Sequence, residues 1–283
     1  MTPLVTLAVL VAAVTHASWN AIAHGIKDQL LSFTLISGGG ALIGVAAAFF
    51  APLPAAGAWP FLIASALLHV GYYALLMRSF TLGDFGQMYP IARGSAPLVV
   101  TALAALFLDE VPGGWQLLGV AVACAGLTGL ALWGIRGKDT RPHWPALLAA
   151  GATGLSIALY SVVDGVGVRA SGTPLGYVAW LMIMEGLAIP AYALWTRRAA
   201  LVPQLRPYAA RGLLGAALSV AAYGLILWAQ TKAPLAPIAA LRESSIIVGA
   251  AIGALFFKER FGGPRIAAAG LMVVGISLML RAG

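Results

Sequence analysis

Polar and ionisable side chains recur inside stretches that are otherwise apolar, and their spacing sets them on shared helix faces. His16 and Asn20 stand four apart, with Trp19 beside them. Ser156, Tyr160 and Asp164 step by four along one face. His69, Tyr72 and Tyr73 share a third stretch, and Tyr223, Trp228 and Gln230 share a fourth. The densest groups are Gln87, Tyr89, Pro90, Arg93 and Pro97, and Pro237, Arg242, Glu243, Ser244 and Ser245. These are parts for holding a small zwitterion. Arg93 or Arg242 can take a carboxylate through a bidentate fork. Asp164, Glu243 or freed backbone carbonyls can take an ammonium. Tyr89, Tyr160, Tyr223 and Trp19 can wall the remainder and offer cation–π contacts. The candidate binding set is therefore Trp19, Asn20, Tyr89, Arg93, Tyr160, Asp164, Tyr223, Arg242 and Glu243, converging on one aqueous cavity. A structural alternative stays open, in which each arginine is paired with Asp164 or Glu243. Glu185 is an isolated acid whose partner the sequence does not name.

Other chemistries find little material. His16 and His69 have no cysteine or carboxylate at ligand spacing, so no metal is expected. No HExxH or GxSxG occurs, so no catalytic residue and no enzyme activity is assigned. No cofactor motif is visible either, and without a phosphate-binding loop any drive is a gradient. Cys124 is the lone cysteine and lies in an apolar run, which reads as a buried structural thiol. Trp59, Trp115, Trp133, Trp144 and Trp195 fall near the ends of such runs and read as interfacial anchors.

The elements that carry these groups must lie in lipid. Of 283 residues, 61% are hydrophobic and 9% charged, with a mean hydropathy of +0.92. A soluble domain carries about 25% charge, so this chain cannot cover a water-facing surface. About 20 apolar residues cross a bilayer. Ten runs qualify: 3–23, 30–51, 59–80, 85–108, 115–135, 144–168, 174–196, 208–230, 235–257 and 264–280. A bilayer offers backbone groups no water, so an all-α polytopic fold is expected. The first run has no positively charged leader and reads as a retained helix. The net charge of +8 lies between the runs and not on one soluble face, so the expected partners are a small molecule and the bilayer, not nucleic acid.

The chain is also written twice. YPIARGSAPLVVTALAALFLDEVPGG, from Tyr89, recurs from Ala236 as APIAALRESSIIVGAAIGALFFKERFGG. Arg93 falls on Arg242, Ser95 on Ser244, Glu110 on Glu259 and Gly113-Gly114 on Gly262-Gly263. The expected domains are two five-helix repeats, 1–138 and 139–283. An odd number of spans makes the second copy enter the bilayer from the opposite face, which is the architecture of secondary transporters. Pro90 and Pro237, in the shared Pro-Ile-Ala, are the expected hinges. Gly40 with Gly44, and Gly249 with Gly253, mark close helix approaches within the chain or between two copies; a monomer is expected, with a homodimer as the alternative.

Lysine and arginine split twelve to three between the two sides of this topology. Arg169, Lys232 and Arg281 share the side of the termini; Lys27, Arg78, Arg136, Lys138, Arg141, Arg197, Arg198, Arg206, Arg211, Lys258, Arg260 and Arg265 take the other. The positive-inside rule then makes both termini periplasmic in a bacterial inner membrane.

With two five-helix halves, the HASWNAIAHGIKD stretch, proline-rich fourth and ninth spans and the acidic corners Leu108-Asp109-Glu110 and Phe257-Lys258-Glu259, the chain resembles the drug/metabolite transporter superfamily. Within it, the EamA-type ten-helix exporters are nearest in look, and among those the YddG-type exporters of aromatic amino acids and methyl viologen. The resemblance covers nearly the whole length. It implies export of small amphipathic metabolites, amino acids first, with other DMT solutes (lipophilic cations, sugars, nucleotide-sugars) as the alternative. It also implies a central cavity built from the first, third, fourth, sixth, eighth and ninth helices, with the fifth and tenth packed behind. Two features depart from the family's pattern. The corners read Asp-Glu and Lys-Glu where Gly-Glu is usual, and relatives are drawn with cytoplasmic termini.

Overall fold

A computed structural model describes residues 1–82, 93, 96–136, 144–256 and 263–281. Helices make up every regular element among them. In chain order these are α1 (Pro3–Gly25), α2 (Gln29–Ala48), α3 (Trp59–Leu82), α4 (Ala96–Phe107), α5 (Gly114–Arg136), α6 (Trp144–Ala170), α7 (Pro174–Gly186), α8 (Ala188–Arg197), the short α9 (Leu201–Leu205), α10 (Ala209–Gln230), α11 (Leu235–Arg242), α12 (Ser245–Phe256) and α13 (Gly263–Arg281). Among the described residues, five stretches are long and apolar enough to cross a membrane: Pro3–Gly25, Gln29–Ala48, Ala56–Leu82, Leu147–Ala170 and Pro174–Gln230. The last holds α7, α8, α9 and α10. Ala96–Phe107, Gly114–Gly126 and Ile266–Met279 are shorter apolar helices. Outward faces carry Leu4, Leu7, Leu67, Leu155, Leu213 and Leu255, all well exposed, as lipid-facing surfaces require.

Local chemistry sets the boundaries. Thr2, Asp28 and Thr173 cap α1, α2 and α7 by accepting from Val5, Leu31 and Gly176 backbone N–H groups. Proline stands in the opening turn of α1, α4 and α7, where its missing donor costs nothing. The seventh apolar run is broken at Leu187 into α7 and α8. Pro190 accounts for this, since it cannot bond to the carbonyl four residues back, at Gly186.

The ninth run is broken too, though not at the residue that sequence pointed to. Pro237 sits in the first turn of α11, and the interruption falls at Glu243 and Ser244, between α11 and α12. There Glu243, Ser244, Ile246 and Ile247 donate to carbonyls three residues back, a short 3₁₀ tightening. Pro90, the other expected hinge, lies outside the described residues.

Helices pack in pairs: α1 on α10, α3 on α6, α2 on α7 and α5 on α13. Glycines permit two of these contacts. A Cβ at Gly44 would sit 2.7 Å from the Ala179 carbonyl oxygen, and one at Gly186 2.5 Å from that of Ser37, so α2 and α7 approach backbone to backbone. Gly119 and Gly275 do the same for α5 and α13. One apolar core joins both halves of the chain, with Trp19, Phe33, Tyr72, Tyr160, Ala222 and Ile246 among its members.

Candidate functional site

Arg93 and Glu243 form a two-pronged buried ion pair. Nε donates to one carboxylate oxygen at 2.9 Å and Nη2 to the other at 2.7 Å. The side chains are 2% and 1% exposed, so neither charge is solvated from outside. The third prong of Arg93, Nη1, lies 2.8 Å from His16 Nε2. A guanidinium only donates, so Nε2 accepts and the His16 proton sits on Nδ1. Trp19 Nε1, 3.3 Å from that Nδ1, therefore meets a donor and not an acceptor. Their contact is better described as edge-to-face packing, with centroids 5.3 Å apart. Asn20 bonds its own helix, donating Nδ2 to the His16 carbonyl at 2.9 Å, and its Oδ1 has no partner.

Arg242 is equally buried and very differently placed. Its Nη2 donates to Ser161 Oγ on α6 at a long 3.3 Å, and its Nε has no hydrogen-bond partner. Among the described residues, no carboxylate oxygen lies within 4.0 Å of its guanidinium nitrogens.

Next to Ser161 begins an aromatic cluster that holds the other two buried acids. Tyr160 stacks on His69 with centroids 4.0 Å apart, and Tyr223 meets the edge of both rings. Asp164 accepts from Tyr177 OH at 2.8 Å and from Tyr223 OH. Glu185 finds its neighbours on α3: His69 Nδ1 is 3.4 Å from Oε2, and Tyr73 OH is 3.5 Å from Oε1. His69 Nδ1 is also 3.0 Å from the Ser65 carbonyl, which fixes its proton there. Asp164, Glu185, Arg242 and Glu243 are at most 3% exposed, so the cluster is packed shut and not open to water in this conformation.

Residues 143–281 match the EamA-like transporter family. The match covers just under half of the chain, and it makes the second half similar to an EamA-like transporter domain. Together with the apolar helices, it makes the chain a multi-pass membrane protein. A solved crystal structure is similar over 99% of this chain and 96% of that one, with a TM-score of 0.74 and 18% identity. At that identity the likeness is one of fold. No curated protein matches the sequence.

The EamA-like domain contributes Tyr160, Asp164, Tyr223, Arg242 and Glu243 to the cluster, and the first half contributes Trp19, Asn20 and Arg93. All eight are buried or half-buried and belong to one connected region; Tyr89 lies outside the described residues. Sequence reasoning left out Ser65, Ser161 and Tyr177 and did not place Glu185. Tyr177 carried a usable signal, a tyrosine deep in an apolar run. Ser161 carried none, since its role depends on a helix 81 residues away.

Both ends of the bundle are tied across helices. At one end, Arg169 of the EamA-like domain donates to Glu110 at 2.6 Å and to the Gln230 and Ala233 carbonyls at 2.8 and 3.1 Å. Glu110 also accepts from the Leu235 backbone N–H at 2.7 Å. Asp109 aims it there by adopting φ 54°, a left-handed conformation in which aspartate is tolerated and glycine is usual. Asp109 therefore makes a turn of the kind glycine makes more readily. At the opposite end, Arg197 donates to Asp28 at 2.8 Å. Near that end, α1, α10 and α12 enclose an almost wholly apolar groove of about 430 Å³, with Arg211 among its lining residues.

Proposed function

We propose that this protein is a secondary transporter of the bacterial inner membrane, exporting small amphipathic metabolites, amino acids first. On this reading ten membrane helices form two inverted repeats, 1–138 and 139–283, and substrate passes between them by alternating access. The observation that carries it is the buried meeting of Arg93, Glu243 and His16, which brings charges from both repeats together where a bilayer makes them costly. Ionisable groups at that depth mark solute pathways.

Packing supports the repeat. Exchanging the first five spans for the last five turns the α1–α10 contact into the α6–α3 contact, and α2–α7 and α5–α13 into themselves. A Cβ at Gly126 would sit 3.1 Å from the Ala268 carbonyl oxygen; one at Gly275, the repeat position of Gly126, would sit 2.6 Å from that of Gly119, the repeat position of Ala268. Such a pair of contacts is what two inverted repeats would make.

Trp19, Asn20, Tyr89, Arg93, Tyr160, Asp164, Tyr223, Arg242 and Glu243 serve the substrate on this reading. The aromatic rings suit an apolar side chain, and Asp164 can still accept from an ammonium beside its two tyrosines. Release of Glu110–Arg169 at one end, or Asp28–Arg197 at the other, opens one face at a time. The interrupted ninth span at Glu243 and Ser244 supplies the bend on that side, and Pro90 is the hinge proposed for the fourth span. The lysine and arginine split supports periplasmic termini, and the chain functions as a monomer.

Counterflow in proteoliposomes tests this. Labelled aromatic and neutral amino acids should exchange into vesicles preloaded with the same solute. Exchange of lipophilic cations or sugars alone would move the substrate class and keep the transporter. No exchange of any solute would overturn the proposal. Alkaline phosphatase and green fluorescent protein fused separately to Gly283 report the orientation; fluorescence without phosphatase activity would invert it.

A further inference from the structure

We infer that Arg242, and not Arg93, is the receptor for a substrate carboxylate, left open because the two repeats differ by one side chain. The inference rests on the transporter reading above and assigns its anion site.

The two arginines occupy equivalent places, Arg93-Gly94-Ser95 in one copy and Arg242-Glu243-Ser244 in the other. Arg93 presents its Nε–Nη2 edge to Glu243, the residue that follows its own repeat mate. By the repeat, the counterpart for Arg242 is residue 94, and that residue is glycine, which has no carboxylate to give. The same Nε–Nη2 edge of Arg242 accordingly has only a serine hydroxyl at 3.3 Å on Nη2 and no partner at Nε. Arg242 is nevertheless 3% exposed, so water outside the protein does not solvate it.

Nor do the other buried acids supply what is missing. Glu243 spends both oxygens on Arg93, Asp164 accepts two tyrosine hydroxyls, and Glu185 faces His69 and Tyr73. A buried arginine with an empty fork edge matches a planar, singly charged oxyanion. A carboxylate fits in shape and charge, whereas a phosphate dianion would leave an excess negative charge in the same apolar surroundings. Ser161 Oγ, which donates to the Ile157 carbonyl at 2.6 Å, can yield Nη2 to the incoming oxygen without losing its own bond.

The test uses the purified full-length protein in detergent micelles. Thermal unfolding is compared in sodium propionate, and in sodium chloride with or without the neutral isostere propionamide, at equal ionic strength. Propionate should raise the melting temperature of the wild type and propionamide should not. Arg242→Gln should abolish the propionate response while melting at or above the unliganded wild type, because it removes an uncompensated buried charge. Arg242→Lys should retain a weakened response. A propionate response unchanged in Arg242→Gln, no response in the wild type, or collapse of Arg242→Gln to a non-folding protein would each overturn the assignment. Counterflow separates this from the broader reading. If amides of transported acids compete as well as the acids, the carboxylate site fails and the transporter stands. If no solute moves but the propionate response is intact, the transporter fails and the anion site stands.

Discussion

Arg93 and Arg242 stand at corresponding places in two similar stretches of sequence, and both are almost fully buried. Arg93 is bonded at each of its three nitrogens, to Glu243 and His16, joining elements from both halves. Arg242 ends on one long bond to a serine. Burial alone therefore says little about what a charged residue does in a membrane fold. What separates the pair is whether the protein itself supplies the counter-ion. A satisfied pair is a strut, and an unsatisfied one is a place for something else to bind.

Breaking the strut should have the largest effect. Glu243→Gln strands the Arg93 charge and should cost about 3–5 kcal/mol of stability, as should Arg93→Gln by stranding Glu243. The double variant should recover a good part of that loss, because no uncompensated charge remains. Arg242→Gln should fall within about 1 kcal/mol of wild type on the same scale. Reversible unfolding in mixed micelles measures all four. Equal losses at Arg93 and Arg242 would erase the comparison.

Lysine sharpens it at the level of transport. Arg242→Lys keeps the charge and loses the planar fork, so a charge-assisted bond worth about 1.5–3 kcal/mol goes missing from the substrate complex. Counterflow at limiting substrate should drop by about tenfold or more with expression near normal. Arg93→Lys should reduce exchange less, since its carboxylate partner belongs to the protein. If both lysine variants transport at the wild-type rate, neither fork holds substrate.

The smallest effect belongs to the latch at the end of the bundle. Arg169 and Glu110 are 35% and 17% exposed at the side chain, so their pairing should contribute at most about 1 kcal/mol. Glu110→Gln should barely change stability. It should, however, speed labelling of Ser161→Cys by a small hydrophilic thiol reagent in a Cys124→Ala background, because that end of the packed cluster opens more often. Unchanged labelling would mean that access to Arg242 comes from the Asp28–Arg197 end.

Much of the candidate site could be read from spacing. Polar residues inside apolar runs stand out because a bilayer penalises them, so Arg93, Asp164, Arg242 and Glu243 were visible without coordinates. Their bonding was not. The break of the ninth span is an example: a proline at 237 drew attention, yet a proline in a first turn breaks nothing, and the interruption lies where Glu243 reaches Arg93. The break at Leu187 has a local cause in Pro190, four residues beyond the carbonyl it cannot serve, but hydropathy alone reads 174–196 as one run. Asp109 at φ 54° illustrates a third kind, a familiar glycine corner rebuilt with a residue that tolerates the same backbone.

Sequence by itself determined that the chain lives in lipid, that a stretch near Arg93 has a similar stretch near Arg242, and which side chains would be costly there. Those properties are local sums over neighbouring residues, such as hydropathy, helical spacing and likeness at a fixed offset. Tertiary structure alone decided which arginine met a carboxylate. Arg93 and Glu243 are 150 residues apart, and among the described residues three buried acids were available on three different spans. The choice among them depends on how helices cross and which way each face turns. Close glycine contacts and aromatic packing set both, and neither is written in any one stretch of the chain.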